Sequence, residues 1–357
     1  MKFSDIIEID GIKLTKKYIE SLSYEDREKL IDPIFNILRK INFIYPDDID
    51  EVNKDWQNLL KYNPNINENE VYGNSSLATS ICKYFCHEYY DTTEHNKKTM
   101  PEIFNDDVLL RKTIKNRLGM DWYLPSKNKK GEILPGVNES FNLSFKMIIQ
   151  GFRSQRLINQ VSMFKPEIAK FITMKYSSPG DTVFDPSCGF GGRLLGCMSS
   201  GRKYIGTDPL TTNSLEVMAK HFNFKDYKLI KSGSEDYCGQ ENSIDFSYTS
   251  PPYFDQEVYS KDLTQAYNKG EDYFYNVYWE NTVKNVKFML KQGKLFGVNI
   301  TDKYPKIVDI TRKHFGEPES IFKLRLVRSH LTKKKIGESE GKEAEKYEPI
   351  YIFRNCK

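Results

Sequence analysis

The sequence predicts an α/β protein: a mostly parallel sheet covered on both faces by helices, preceded by a mainly helical N-terminal region. Three observations predict it. From Thr182 onward, short apolar runs rich in β-formers alternate with stretches of helical period, the pattern of βαβ units. The first of these runs is followed by a glycine-rich turn, Asp185-Pro186-Ser187-Cys188-Gly189-Phe190-Gly191-Gly192-Arg193. A later run, Ile244 to Tyr248, stops at Thr249-Ser250-Pro251-Pro252-Tyr253-Phe254, a rigid turn because proline restricts the residue before it and cannot donate to a ladder. Such a turn lies at the carboxyl edge of a sheet, where open α/β folds place their ligands.

Taken in order, residues 14–120 read as mainly helical. Leu30, Ile34, Ile37, Leu38 and Ile41 recur at helical spacing, as do Leu77, Ile81, Tyr84 and Phe85. The Asp-Pro and Tyr-Pro steps at Pro33 and Pro46 mark helix starts or breaks. Cys82, Cys86, His87 and His95 are zinc-ligand types, but Cys82 and Cys86 lie on one turn of a helix-like stretch, so a buried helical face accounts for them and no metal site is expected. Pro125 to Gly136 is polar and rich in turn formers. It sets the expected boundary between a helical domain over 1–135 and a second domain over 136–357.

Beyond the boundary, Arg153 and Arg156 read either as phosphate-holding cations or as ones solvated or paired within the fold. Pro166 suits the first turn of a helix whose apolar side is Ile168, Phe171 and Ile172. The glycine turn after Thr182-Val183-Phe184 opens a helix, the device that brings backbone close to a nucleotide-like ligand. It is not the dinucleotide fingerprint, since Leu194 stands where the third glycine belongs. Asp208 closes the next strand about 20 residues on, the spacing at which an acid accepts ribose hydroxyls. A helix over 212–221 and strands over 227–231 and 244–250 follow, then a helix over 273–290, a strand over 294–300 and a helix over 304–314. Strands over 321–327 and 348–353 form a closing antiparallel hairpin, joined by a loop of mixed charge between Lys333 and Lys346.

The chemistry of the double-proline turn follows from its residue types. Ser250 and the carbonyl of Pro251 can accept the hydrogens of a planar amine while Tyr253 stacks on its face; an ordinary proline turn is the other reading. Composition fits a globular protein: 357 residues, 39% hydrophobic and 29% charged. The N-terminus lacks the apolar core of a signal peptide, and no run is long enough to span a bilayer, so an intracellular protein without membrane contact is expected. The six cysteines lack the spacing of a disulfide framework. A net charge of +4 is too small to argue for nucleic acid by itself.

Four blocks in succession carry a resemblance. Phe164-Lys165-Pro166, Asp185 to Gly191, Gly201-Arg202-Lys203-Tyr204-Ile205-Gly206-Thr207-Asp208 and Thr249 to Tyr253 are together similar to the blocks of the amino-methyltransferases of DNA, which methylate the exocyclic amine of adenine or cytosine. The closing Tyr347-Glu348-Pro349-Ile350-Tyr351-Ile352-Phe353 is similar to that family's final strand, so the likeness covers roughly residues 160 to 355.

The resemblance implies a seven-stranded, Rossmann-like methyltransferase sheet and S-adenosyl-L-methionine as cofactor. It implies that Lys165 and Pro166 border the cofactor and that Asp185, Pro186, Gly189 and Gly191 wrap its methionine end. Asp208 would hold the ribose, with Ser234, Glu235 or Asp236 at the adenine end. Ser250, Pro251, Pro252 and Tyr253 become the catalytic group, acting on a base flipped out of double-stranded DNA. The helical first 130 residues and the loop after Arg328 would supply DNA contacts. The resemblance further implies a bacterial or phage-infected cytoplasm and a partner from a restriction or phage modification system. An RNA base methyltransferase, and an inactive nucleic-acid-binding scaffold of the same fold, are the alternatives.

Overall fold

A computed structural model describes residues 1–356 except 69, 73–75, 95–96, 121–125, 128–132, 135–140, 159–160, 255–256, 261, 263 and 326–346. The expected loop between Lys333 and Lys346, and most of the expected boundary between Pro125 and Gly136, lie outside the described residues. Contacts divide the chain into two compact units, Met1–Asp48 with Tyr90–Val161 and Ile49–Tyr89 with Ser162–Lys357.

The first unit is helical because its apolar positions fall on helical faces and its starts are capped. Ser23 caps the helix Tyr24–Arg39, Thr99 and Glu102 form a reciprocal capping box on Met100–Phe104, and Asp106 accepts from Val108 and Leu109 at the head of Asp107–Arg117. Ile34, Phe35 and Leu38 are buried together with Phe104, Ile114, Phe145 and Phe152. Pro33 does not start or break a helix as its dipeptide suggests: it lies inside Tyr24–Arg39. The apolar face that it shares with Ile34 and Phe35 offsets the roughly 3 kcal/mol that an internal proline costs.

The second unit is an eight-stranded sheet with helices. We number its strands β1 Glu70–Tyr72, β2 Thr182–Asp185, β3 Lys203–Thr207, β4 Tyr227–Ile230, β5 Ile244–Thr249, β6 Leu290–Asn299, β7 Ser320–Arg325 and β8 Tyr347–Arg354. Its helices are α1 Ile49–Lys61, α2 Thr79–Phe85, α3 Pro166–Tyr176, α4 Gly192–Met198, α5 Thr212–His221, α6 Glu280–Met289 and α7 Pro305–Phe315. The strand order is β1-β7-β8-β6-β5-β2-β3-β4. Strand β8 alone runs antiparallel, between β6 and β7, so β2 to β8 form the seven-stranded methyltransferase-type sheet with its closing hairpin.

Strand β1 adds an eighth position, parallel to β7. The segment carrying it, residues 49–89, groups with the sheet and not with the helices that precede and follow it in sequence. The side chains explain why. Lys170 on α3 donates to the carbonyls of Leu59 and Leu60 at 2.7 and 3.1 Å, and Trp56 stacks on Phe222 with centroids 4.5 Å apart. Cys86, fully buried like Cys82, donates to the carbonyl of Phe190 at 3.6 Å. No helix among the described residues is long and apolar enough to cross a membrane.

Every residue of β5 is buried. Burial on both faces, which here includes the polar Asp245, Ser247 and Thr249, is what a central parallel strand covered on both sides shows. Phe246 pairs with Val183 of β2 and with Leu295 of β6. On one side of the sheet Phe184, Phe296 and Phe353 pack with Trp279, Val283 and Phe315 from the covering helices. The helix over 273–290 is present, with one difference: Phe274–Trp279 is a wide π-type turn.

Candidate functional site

The carboxyl ends of β2, β3 and β5 open onto one cavity, bordered by Lys165, Pro186, Gly189, Asp208, Ser234, Ser250, Pro251, Pro252 and Tyr253 among the expected residues. It thus joins the glycine turn and the double-proline turn, which are about 60 residues apart in sequence. Pro166, Asp185, Gly191 and Asp236 do not border it.

The positions of those four have physical reasons. The Asp185 carboxylate turns inward, accepting from Arg193 Nε at 2.9 Å, Tyr204 Oη at 2.7 Å and the Ser187 amide at 3.1 Å. Arg193 also donates to the Ser187 carbonyl, so one buried ion pair fixes the course of the turn. Burial pulls the Arg193 guanidinium down, but the adjoining Asp185 carboxylate more than offsets this and holds it above its ordinary value. Gly191 has φ +83°, the left-handed conformation that a side chain resists, and serves as N-cap of α4. A Cβ on Gly192 would overlap the carbonyl oxygen of Phe164, so the block carrying Lys165 sits directly against the start of α4. Pro166 is the buried first residue of α3, while Asp236 points to solvent.

Asp208 borders the cavity but already holds the turn. It accepts from the amides of Gly189, Leu210 and Thr211 at 3.0, 2.8 and 2.9 Å, while burial raises its pKa. Ser234 bonds to Thr282 Oγ1 at 2.6 Å. The cavity-facing acid of that loop is Glu235: its Oε1 accepts from Tyr273 at 3.1 Å, its Oε2 is buried without a hydrogen-bond partner, and burial raises its pKa.

Ser250 is the first residue past β5, and its side chain has no hydrogen-bond partner among the described residues. Tyr253 is held on two sides: its ring lies parallel to Tyr304, 5.2 Å between centroids at 5°, and its hydroxyl donates to Glu348 Oε1 at 2.6 Å. Its amide donates to Glu257 Oε2 at 3.1 Å, which also accepts from Tyr259 Oη at 2.8 Å. Burial raises the pKa of both tyrosines, and the adjoining carboxylates add to the rise. The π-type turn carries Tyr278 to the wall, where it shares a hydrogen bond of 3.1 Å with Ser187 Oγ.

Sequence reasoning did not assign Glu257, Tyr259, Tyr278, Asn299 or Glu348 to the cavity. Glu348 had a signal, since it is the one charged residue of the closing block Tyr347 to Phe353. Four acids line the cavity, Asp208, Glu235, Glu257 and Glu348; of the two basic residues, Arg193 is committed to Asp185. The wall is therefore acidic and aromatic, a setting for a cation attached to a flat ring system.

No family model matches the sequence, and no curated protein matches it. Solved structures with a similar backbone include the tRNA (m1A58) methyltransferase TrmI from Aquifex aeolicus, at 15% identity and TM-score 0.38 over 55% of this chain and 71% of that one. TrmN from Thermus thermophilus matches at 12% and 0.37, over 53% of this chain and 48% of its own. A geranyl diphosphate C-methyltransferase from Streptomyces coelicolor A3(2) matches at 12% and 0.33, over 44% and 62%. Scores this low leave the fold to be read from the strand order itself.

Proposed function

We propose that this protein is an S-adenosylmethionine-dependent methyltransferase that acts on the exocyclic amine of adenine or cytosine in a DNA base held out of the duplex. The observation that supports it most is the Ser250 hydroxyl, without a hydrogen-bond partner among the described residues, at the end of the central strand, beside the Pro251 carbonyl and on the same cavity as the glycine turn. An acceptor pair next to a nucleotide-type loop suits an amine brought up to a bound cofactor.

The residues present fit that cofactor. Glu235 borders the cavity and its Oε2 is a buried acceptor with no hydrogen-bond partner among the described residues, and the excess of acids suits a sulfonium and an α-amino group. Lys165 and the turn around Gly189 would border the methionine end, Asp208 and Glu235 the nucleoside end. When bound, S-adenosylmethionine supplies a methyl group on an electrophilic sulfonium.

The chain's own residues then do the positioning. A ring amine is a weak nucleophile because its lone pair is delocalised. Acceptance of its hydrogens by Ser250 Oγ and the Pro251 carbonyl makes the nitrogen more tetrahedral and aims the lone pair, so rate comes from alignment and not from a strong base. Tyr253, fixed by Tyr304 and Glu348, would stack on the base without first losing freedom of its own.

The test is transfer of labelled methyl from S-adenosylmethionine to unmethylated genomic DNA and, in parallel, to total RNA, with mass spectrometry of the digested nucleosides. A methylated deoxyadenosine or deoxycytidine upholds the reading and identifies the base. Label in RNA alone, or in neither polymer from protein that binds the cofactor, overturns it.

A further inference from the structure

The helical unit carries a cation that no acid among the described residues neutralises. Arg117, the last residue of the helix Asp107–Arg117, is 5% exposed. Its Nη2 donates to Ser154 Oγ at 3.2 Å, its guanidinium lies 5.4 Å from the centre of the Phe141 ring, and its Nε is buried without a partner. Gly151 leaves room for it: a Cβ there would lie 2.9 Å from Arg117 Nε. Burial pulls its pKa down to about 10.

Two more arginines stand at the same helix end. Ser154, which accepts from Arg117, closes the helix Phe145–Ser154; Arg153 precedes it, and Arg156 follows two residues later in a left-handed turn at φ 57°. Both are exposed, as is Ser154, and neither pairs with an acid among the described residues. The negative ends of the two helices offset only part of the cost of burying a guanidinium that no acid among the described residues opposes. An anion from outside the chain would offset the rest.

We propose that Arg117, Arg153 and Arg156 form a phosphate-contact site for the sugar–phosphate backbone of nucleic acid. Guanidinium forks match phosphate oxygens two at a time, and Ser154, bonded to Arg117, joins the buried arginine to the helix end that carries the two exposed ones. The choice of nucleic acid rests on the proposed function, but the site is testable without any methyl transfer.

The experiment is fluorescence anisotropy of the full chain with a labelled DNA duplex, without cofactor, over a series of salt concentrations. Arg117→Met and the double variant Arg153→Ala/Arg156→Ala should each weaken binding and lower the slope of log K against log salt by about one for each phosphate that is no longer neutralised. Arg117→Met should also raise the urea midpoint of the free protein, since it removes an uncompensated charge. Unchanged affinity and slope in both variants overturn the site. A lowered midpoint with unchanged binding overturns it too, by making Arg117 a structural cation. If inorganic phosphate raises the wild-type midpoint while the variants leave duplex binding untouched, the site takes a small anion and the backbone assignment falls. An active methyltransferase with unaltered binding in both variants removes this inference alone; a protein without transfer activity whose variants bind weakly keeps it and removes the proposed function.

Discussion

Replacing Arg193 with methionine tests whether the glycine turn is held by charge. The side chains of Arg193 and Asp185 are 4% and 0% exposed, and Nε lies 2.9 Å from the carboxylate. Without Arg193, Asp185 keeps the Tyr204 hydroxyl and the Ser187 amide but loses its counter-charge. Breaking one partner of a buried pair costs about 3–5 kcal/mol, a large share of the roughly 5–15 kcal/mol that holds a native protein. Asp185→Leu should cost as much, because it leaves a buried guanidinium. The double variant Asp185→Leu/Arg193→Met removes both charges and orphans mainly the Tyr204 hydroxyl, at about 1–3 kcal/mol. Urea midpoints for the four proteins, converted with a shared m value, complete the cycle. The expected signature is a double variant more stable than either single one. Costs that simply add would refute the reasoning and make Arg193 a packing residue.

Three further outcomes follow from the same geometry. Ser250→Ala, which removes a side chain with no hydrogen-bond partner among the described residues, should leave the midpoint and cofactor affinity unchanged while slowing transfer tenfold or so, the worth of about one hydrogen bond; isothermal calorimetry beside single-turnover rates checks it. Gly192→Ala drives a methyl into the Phe164 carbonyl, where backbone meets backbone, and should destabilise by about 1–3 kcal/mol or more, read by thermal unfolding. Burial opposes charge on Glu280, but hydrogen bonds from His314, Lys284 and Lys313 outweigh it and hold its pKa at about 2 against an ordinary 4.5. A depressed carboxyl contributes stability above its unfolded pKa and loses it as pH falls toward the folded value, so the midpoint difference between wild type and Glu280→Gln should shrink as pH falls from 4.5 to about 2.

What could be read from the sequence was what sits close together in it. The run Ile244 to Tyr248 with its double proline, and the strand, glycine turn and helix around Gly189, announce themselves locally, and the structure puts both on one cavity. Strand β1 escaped because Glu70-Val71-Tyr72 is too short to show a period, and it pairs with β7 some 250 residues later. Asp185 has the residue type of a ligand contact; that it faces inward depends on Arg193 and Tyr204, neither of which its own motif specifies. Asp236 and Glu235 are neighbours of the same chemistry, and only the turn decides which one the cavity receives. Glu257 and Glu348 reach the site through Tyr253, a partnership that spacing does not encode.

The position of β8 gives this molecule an order of events. It comes after every other strand of the sheet in the chain, yet it sits between β6 and β7 and supplies Glu348 to the Tyr253 hydroxyl and the Pro349 carbonyl to Asn299. A growing chain can lay β2, β3 and β5 side by side and shape the glycine turn while still on the ribosome. The Glu348 hold on Tyr253 forms only once β8 has paired with β6. On the proposed function, a nascent or frayed chain would keep its reagent loop while lacking the bench on which to use it.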